Sequence, residues 1–281
     1  MFLQGKRILF FSAHLFGYQN DIRLAMESVG AIVDYYDERP ANNFLVKGVI
    51  RINRNLLAGY INHYYNKIIK ETLQKEYDYV FFIKGESISA SNVRRLKQFH
   101  PEANFIIYHW DSIANNSNAQ NLLPYFDRVF SFDKIDCERL GLHFLPLFYT
   151  PDYANIPYYD KEIKYDMLFV GTTHSDRYKL VKRIEEQIIK MGGLCLTWFY
   201  FPSKILYYKM KIQNSYLRQI PVHTFHFKPM SKELLLQLYA GSRIIIDVQH
   251  PKQTGLTMRC IETLGAKRKL ITTNSVSYTH L

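Results

Sequence analysis

RIIIDVQHPKQTGLTMRCIETLGAKRKLITTN, residues 243–274, sets out a strand, a loop, a helix and a second strand in one sweep. RIIIDV (243–248), with Ile244–Ile246 at its centre, reads as a strand, and KLITT (269–273) reads as another. Between them a polar loop runs to Gly255, and a helix begins near Leu256 or Thr257 and continues to about residue 266. Strand, crossover helix and strand make a βαβ unit, and hence a parallel sheet with helices on its faces.

The same alternation extends outward. Upstream lie YDMLFVG (165–171), a helical stretch from Ser175 to about Lys190, LCLTWFYF (194–201) and a helical stretch near 231–240. Before these, PLFYTPDYANIPYYDK (146–161) carries three prolines and no periodicity, which marks a joint. The first half repeats the theme with ILFFSA (8–13), AIVDYYD (31–37), YDYVFFIKG (77–85), NFIIYHWD (104–111) and RVFSFD (128–133) as strands. A helix is expected from Asn20 or Asp21, and another whose apolar face is Leu56, Leu57, Tyr60, Ile61, Tyr64, Ile68 and Ile69. The expected architecture is α/β: an N-terminal Rossmann-like domain over 1–150 and a C-terminal one over 151–281, facing each other across a cleft.

Composition narrows the classes. The 281 residues carry a net charge of +11, unevenly shared: 17 basic against 15 acidic residues in 1–150, and 19 against 10 in 151–281. From Gln187 to Lys232 there is no acid at all. Such a field suits phosphate-bearing ligands, anionic lipid or nucleic acid, or forms a solvated basic face. Cys137, Cys195 and Cys260 form no paired motif, which argues against a disulfide framework and fits a reducing cytosol. The N-terminal apolar run is too short and punctuated for a signal peptide, and no stretch approaches the roughly 18 apolar residues of a membrane span.

In open parallel sheets ligands bind beyond the carboxyl ends of the strands, so the strand-to-helix loops are where chemistry is sought. After Asp247, Gly255 lets backbone approach a ligand and the helix start offers free amides to phosphate. Arg259 in the first turn can hold the same anion in a bidentate grip, and Glu262, three residues on, can accept from a ribose diol. The bland alternative is a helical salt bridge between Arg259 and Glu262.

GLTMRCIETLGAKRKLITTN (255–274) resembles the nucleotide-sugar segment of GT-B-type glycosyltransferases, in particular bacterial cell-surface polysaccharide enzymes related to spore-maturation-type and group 1 transferases. The resemblance covers about residues 165–274. It implies a donor-ribose role for Glu262 and a diphosphate role for the loop formed by Gly255, Leu256 and Thr257. Many retaining members carry an acid eight residues before that glutamate. Here the position is Thr254, so no stereochemical outcome is assigned.

Four further loops bear on the reading. VGTTHSDRYKLV (170–181) offers Gly171 and Arg177 for a phosphate, with Asp176 more simply complementing the helix dipole. YHWDSIANN (108–116) offers Asp111 as a general base and Trp110 as a sugar-stacking ring, or a turn cap and a core residue respectively. HLFGYQND (14–21) offers His14 as an alternative base and Gly17 for a close approach to the acceptor. In FIKGES (82–87), Lys84 and Glu86 either line the acceptor side or pair with each other. There is no Asp-x-Asp pair and no His/Cys cluster, so metal ligands are expected to be absent and no cofactor is expected beyond the donor itself. Helix termini and Arg/Lys would then neutralise the leaving diphosphate.

FPSKILYYKMKIQNSYLRQIP (201–221) interleaves Lys204, Lys209, Lys211 and Arg218 with apolar residues on one helix, which suits anionic headgroups where a lipid-linked acceptor would reside. No recognised nucleic-acid motif is present. The expected activity is therefore glycosyl transfer from a nucleoside-diphosphate sugar to a surface glycan or lipid-linked acceptor, in the cytoplasm or peripherally at the inner membrane face. An epimerase on the same fold and a non-catalytic donor-binding subunit of a polysaccharide assembly complex are the alternatives. The resemblance also implies a further strand-and-helix unit beyond ITTNSVSYTHL, whose last residues look like translated adapter read-through.

Overall fold

Each apolar run named above becomes a strand of one of two parallel sheets. The computed structural model describes residues 2–14, 16–116, 118–158, 163–173, 176–250 and 254–275. The chain divides into two compact units, Met1–Pro146 with Lys252–Gly255, and Leu147–Pro251 with Leu256–Leu281.

The first unit runs β1 (Arg7–Phe11), α1 (Tyr18–Ser28), β2 (Ile32–Tyr36), α2 (Phe44–Asn53), α3 (Ala58–Thr72), β3 (Tyr79–Ile83), α4 (Ala90–Phe99), β4 (Asn104–His109), α5 (Ala119–Leu122), β5 (Arg128–Ser131), α6 (Lys134–Leu140) and β6 (His143–Phe144). Its sheet has the order β2-β1-β3-β4-β5-β6, parallel throughout. Four of the five residues of β1 are buried, as a strand covered on both faces requires. Leu9 and Phe11 share a core with Val80, Phe82, Phe105 and Ile107, and Phe11 stacks on Phe82 with ring centroids 4.3 Å apart. Ile61, Tyr65, Ile68 and Ile69 of α3 close that core at helical spacing.

The second unit runs α7 (Pro151–Ala154), β7 (Tyr165–Thr172), α8 (Arg177–Lys190), β8 (Cys195–Tyr200), α9 (Lys204–Gln213), α10 (Ser215–Arg218), β9 (Phe225–His226), α11 (Lys232–Ala240), β10 (Ser242–Asp247), α12 (Met258–Gly265) and β11 (Lys269–Thr272). Its sheet is also parallel, in the order β11-β10-β7-β8-β9. In both sheets the chain builds outward one way, then returns to the other side of the starting strand. The order reverses between β1 and β3 in the first unit and between β7 and β10 in the second. Such switch points leave a crevice beyond the strand ends, because the two connections depart to opposite sides.

The helices start where side chains satisfy their free amides. Ser89, Ser203 and Ser231 accept from Asn92 N, Leu206 N and Leu234 N at 3.1–3.2 Å, capping α4, α9 and α11. The structure corrects the sequence in three places. α1 begins at Tyr18, not at Asn20 or Asp21, because Gly17 takes the cap position at φ +91°, where glycine alone is unstrained. α3 begins at Ala58, which leaves Leu56 in a preceding 3₁₀ turn, exposed, and turns Tyr60 outward. The basic 201–221 stretch is two helices, broken at Asn214, whose side chain ends one and caps the next by accepting from Tyr216 N at 3.0 Å. Among the described residues no helix is long and apolar enough to cross a membrane.

Arg268 locks the second unit. Its buried guanidinium donates to the carbonyls of Tyr239, Ala266, Pro157 and Ala240 at 2.9–3.1 Å, tying the ends of α11 and α12 to the chain before β7. Arg268→Met keeps the bulk but strands those acceptors. We expect it to cost about 3 kcal/mol, read as a lowered urea midpoint by circular dichroism; an unchanged midpoint would mean the carbonyls find other donors.

Candidate functional site

Beyond the carboxyl ends of β7 and β10, three of the sequence-selected residues meet. Arg177, at the start of α8, is buried and donates Nη1 to Thr172 O at 2.9 Å and Nη2 to Val248 O. Arg259, in the first turn of α12, donates Nη2 to Val170 O and faces Asp247 Oδ1 at 3.4 Å, its guanidinium 5.5 Å above the ring of Phe169. Gly171 lies between them. A Cβ there would sit 3.0 Å from Phe169, 3.3 Å from Arg259 Nη2 and 3.4 Å from Arg177 Nη1, so a side chain would crowd both cations. Asp247 is buried, and it also accepts from Thr272 Oγ1 at 3.0 Å.

The two guanidiniums are not equally compensated. Burial works against the charge of Arg259, but Asp247, with Tyr239 and Glu262, holds it above its usual range. Burial, followed by the neighbouring charge of Arg259, pushes Arg177 down to about 9, and Asp247 offsets this only in part. Arg177 Nε is buried without a hydrogen-bond partner among the described residues. A cation in that position is stabilised by any anion brought against it.

The rest of the expected donor segment is distributed as follows. Thr257 caps α12 by accepting from Cys260 N at 3.2 Å, and Leu256 precedes it, partly buried. Glu262 is 8% exposed and is hydrogen-bonded by the Tyr153 hydroxyl, so it does not form the surface helical pair with Arg259; the ion pair of Arg259 is with Asp247. Gly255 clusters with the first unit, where a Cβ would fall 2.5 Å from the Phe132 ring; close packing on Phe132 therefore demands glycine here. Thr254 donates its hydroxyl to the Asp133 carboxylate at 2.6 Å.

In the first unit the loops after β1, β2, β3 and β4 carry an interlinked polar set. His14 is half-exposed, with Nε2 3.4 Å from Asp37 Oδ2 and Nδ1 3.1 Å from the Gln19 amide. Lys84 pairs with Asp111, not with Glu86, whose partner is Arg39. Lys84 stands at φ +74° with Gly85 at +63°, and this left-handed pair turns the chain sharply out of β3. Trp110 is buried, with the edges of Tyr18 and Tyr108 against it at 5.9 Å, so the core reading describes it and its ring is closed to a sugar. His109 beside it is buried and pushed down to about 4, which keeps it neutral.

The sequence reading passed over Asp37, Glu38 and Arg39. Glu38 is fully buried; its Oε2 accepts from Glu86 N at 3.0 Å and its Oε1 has no partner among the described residues. Burial first, then the Glu86 charge, push its carboxyl up to about 8. The signal was present as DER (37–39), three charges directly after an apolar strand. Among the described residues no three His, Cys, Asp or Glu side chains gather to hold a metal ion.

No family model matches the sequence, and no curated protein matches it. Among solved structures the chain is similar to an alpha-glucosyltransferase in complex with UDP and a 13-mer DNA containing a central A:G mismatch. The two share 13% identity over 95% of this chain and 79% of that one, with a TM-score of 0.59. It is similar to the apo structure of OtsA at 8% identity, covering 98% and 86%, TM-score 0.58. It is also similar to a glycosyltransferase from Rickettsia africae ESF-5 at 13% identity, covering 99% and 82%, TM-score 0.52. At these identities the likeness is one of fold, and the fold is GT-B: two parallel α/β sheets in one chain.

The buried Glu38 gives this region a pH signature. Its carboxyl ionises near 4.5 when unfolded and near 8 when folded, so the folded state is favoured fully below 4.5 and loses that advantage as pH rises to 8. We expect Glu38→Gln to match the parent in melting temperature at pH 5 and to exceed it increasingly toward pH 8; parallel curves across that range would show Glu38 ionised in the fold.

Proposed function

We propose that the chain transfers a sugar from a nucleoside-diphosphate sugar to a hydroxyl acceptor, the donor diphosphate lying against Arg177, Arg259 and the start of α12. The observation that carries the reading is Arg177: a buried, under-compensated guanidinium with a free Nε at the switch point of a parallel sheet. Fold likeness to glycosyltransferases supports the same class. A diphosphate brings two negative groups to this point, and its charge rises as the bond to the sugar breaks. Glu262, on the same helix as Arg259, takes the donor ribose, and Leu256 and Thr257 line the diphosphate with Gly171 leaving room for it. No metal is required in this reading, because arginines and helix amides neutralise the leaving group.

His14 serves as the base in preference to Asp111. Asp37 orients its ring and steadies the imidazolium that forms, while Nδ1 receives the acceptor proton where the Gln19 amide now sits. Asp111 is already engaged by the Lys84 ammonium. The acceptor oxygen then attacks the anomeric carbon and the diphosphate departs with the electrons of the broken C–O bond. Gly17 and Lys84 belong to the acceptor side of this scheme. The acceptor is a surface glycan or a lipid-linked hydroxyl.

Thermal stabilisation by a panel of UDP, GDP, CDP and TDP tests the donor site. One diphosphate should raise the melting temperature, Glu262→Ala should abolish the shift, and Arg177→Gln should weaken binding roughly tenfold or more. With that donor, His14→Ala should lower kcat by about 10²–10⁴ while leaving diphosphate binding intact. No shift with any diphosphate removes the donor assignment, and full turnover in His14→Ala returns the base role to Asp111.

A further inference from the structure

The basic helix α9 is not used by the transfer reaction, and its geometry is unusual for a surface helix. Its inner face is ordinary: Tyr207 is fully buried among Phe201, Phe225 and Phe227, with Leu206 and Met210 beside it. The outer face should then be polar. Instead Ile205, Tyr208 and Ile212 are 71%, 54% and 72% exposed. At about 100° per residue these three fall within one arc, opposite the inner face that Leu206, Tyr207 and Met210 form together, with the Tyr208 ring still touching that of Tyr207 at 5.1 Å. Lys209 flanks the arc on one side, and Lys204 and Lys211 flank it on the other.

Two of the three lysines rest against aromatic rings. The Lys204 ammonium stands 5.9 Å from the Phe227 ring and that of Lys211 stands 5.6 Å from the Tyr207 ring. Arg218 of α10 donates to the carbonyls of Lys211 and Ile212, setting a cation at the C-terminus of α9. No acid occurs between Gln187 and Lys232. Glu185 and Glu186 of α8 share a hollow with Tyr216 and Gln219, and Glu185 is already paired with Lys182.

We propose that the outer face of α9, the ridge of Ile205, Tyr208 and Ile212 between Lys204, Lys209 and Lys211, is a docking surface for an anionic lipid bilayer. An apolar ridge edged by lysines is what the headgroup boundary selects. The isoleucines enter the acyl margin, the tyrosine sits at headgroup depth, and the ammonium groups stay with lipid phosphates. A nucleic-acid backbone would satisfy the lysines but leave both isoleucines in water. A second copy packed symmetrically on this face would bring the same lysines together. The docking surface stands independently of the donor site.

Flotation of the chain with vesicles tests it, using phosphatidylcholine alone and phosphatidylcholine with roughly one-third phosphatidylglycerol. Binding should require the anionic lipid and fall as salt rises. Lys209→Gln should weaken it roughly fivefold, and Ile205→Ser with Ile212→Ser roughly tenfold. Unchanged circular dichroism and melting temperature establish that these surface variants are folded. Equal binding to both vesicle types, or undiminished binding by the isoleucine pair variant, overturns the proposal. So does binding to single-stranded DNA without vesicle binding, or self-association that the isoleucine variant loses without vesicle binding.

Discussion

The second unit depends on a cross-brace at the switch point of its sheet. β7 and β10 are neighbours in space but far apart in sequence, and their mutual register ends at Leu168 and Ile245 although both strands run on. Two arginines donate to carbonyls beyond that point, each from the helix that follows one of the strands. Arg177, after β7, reaches Val248 beyond the end of β10; Arg259, after β10, reaches Val170 within β7. Buried carbonyls left unpaired would cost the fold about 1–3 kcal/mol each, so these side chains hold the strand ends in register. The same bonds fix the guanidiniums in place, with rotamer entropy already lost before any ligand arrives.

That double use sets a tension. Burial first, and then the like charge of Arg259, work against the Arg177 cation, and its depression is their sign. The first unit solves a different problem with the opposite sign of charge. Around the ends of its strands stand Asp37, Glu38, Glu86 and Asp111, each next to a histidine, an arginine, a lysine or another acid. Carboxylates in contact with half-exposed imidazole suit the movement of protons, whereas buried guanidiniums suit the holding of anions.

Strands were legible as short apolar runs, unbroken in β1, β3 and β4 and still readable where Asp34 interrupts β2 or Thr197 interrupts β8. β6 and β9 escaped because two residues carry no pattern, and α2 because its apolar residues are interrupted by charges and glycine. The polar loops at strand ends were legible, since each apolar strand run ends where its following loop begins. Partners were not. FIKGES offers Lys84 a glutamate two residues away, yet the left-handed turn at Lys84 and Gly85 sends the lysine to Asp111 and the glutamate to Arg39. Trp110 next to Asp111 looks like a sugar platform in the string; only the register of β4 shows its ring under Tyr18 and Tyr108. Asp37 has no meaning until β2 and β1 lie side by side and their following loops meet.

Within the basic excess of the second half, two groups of cations are distinct. Arg177, Arg259 and Arg268 point inward and donate to backbone carbonyls, where a planar fork with several donors does what an ammonium cannot. Lys204, Lys209 and Lys211 edge the ridge of Ile205, Tyr208 and Ile212, where a point charge on an apolar stem suits the proposed lipid phosphate better than a planar fork. At these six positions arginine stands inside and lysine outside, because the two surroundings ask for different geometry from the same charge, while Arg218 and Arg243 are arginines of the surface. A count of positive residues cannot separate these roles, but the partners of each side chain do: one set donates to buried carbonyls and the other edges an exposed apolar ridge.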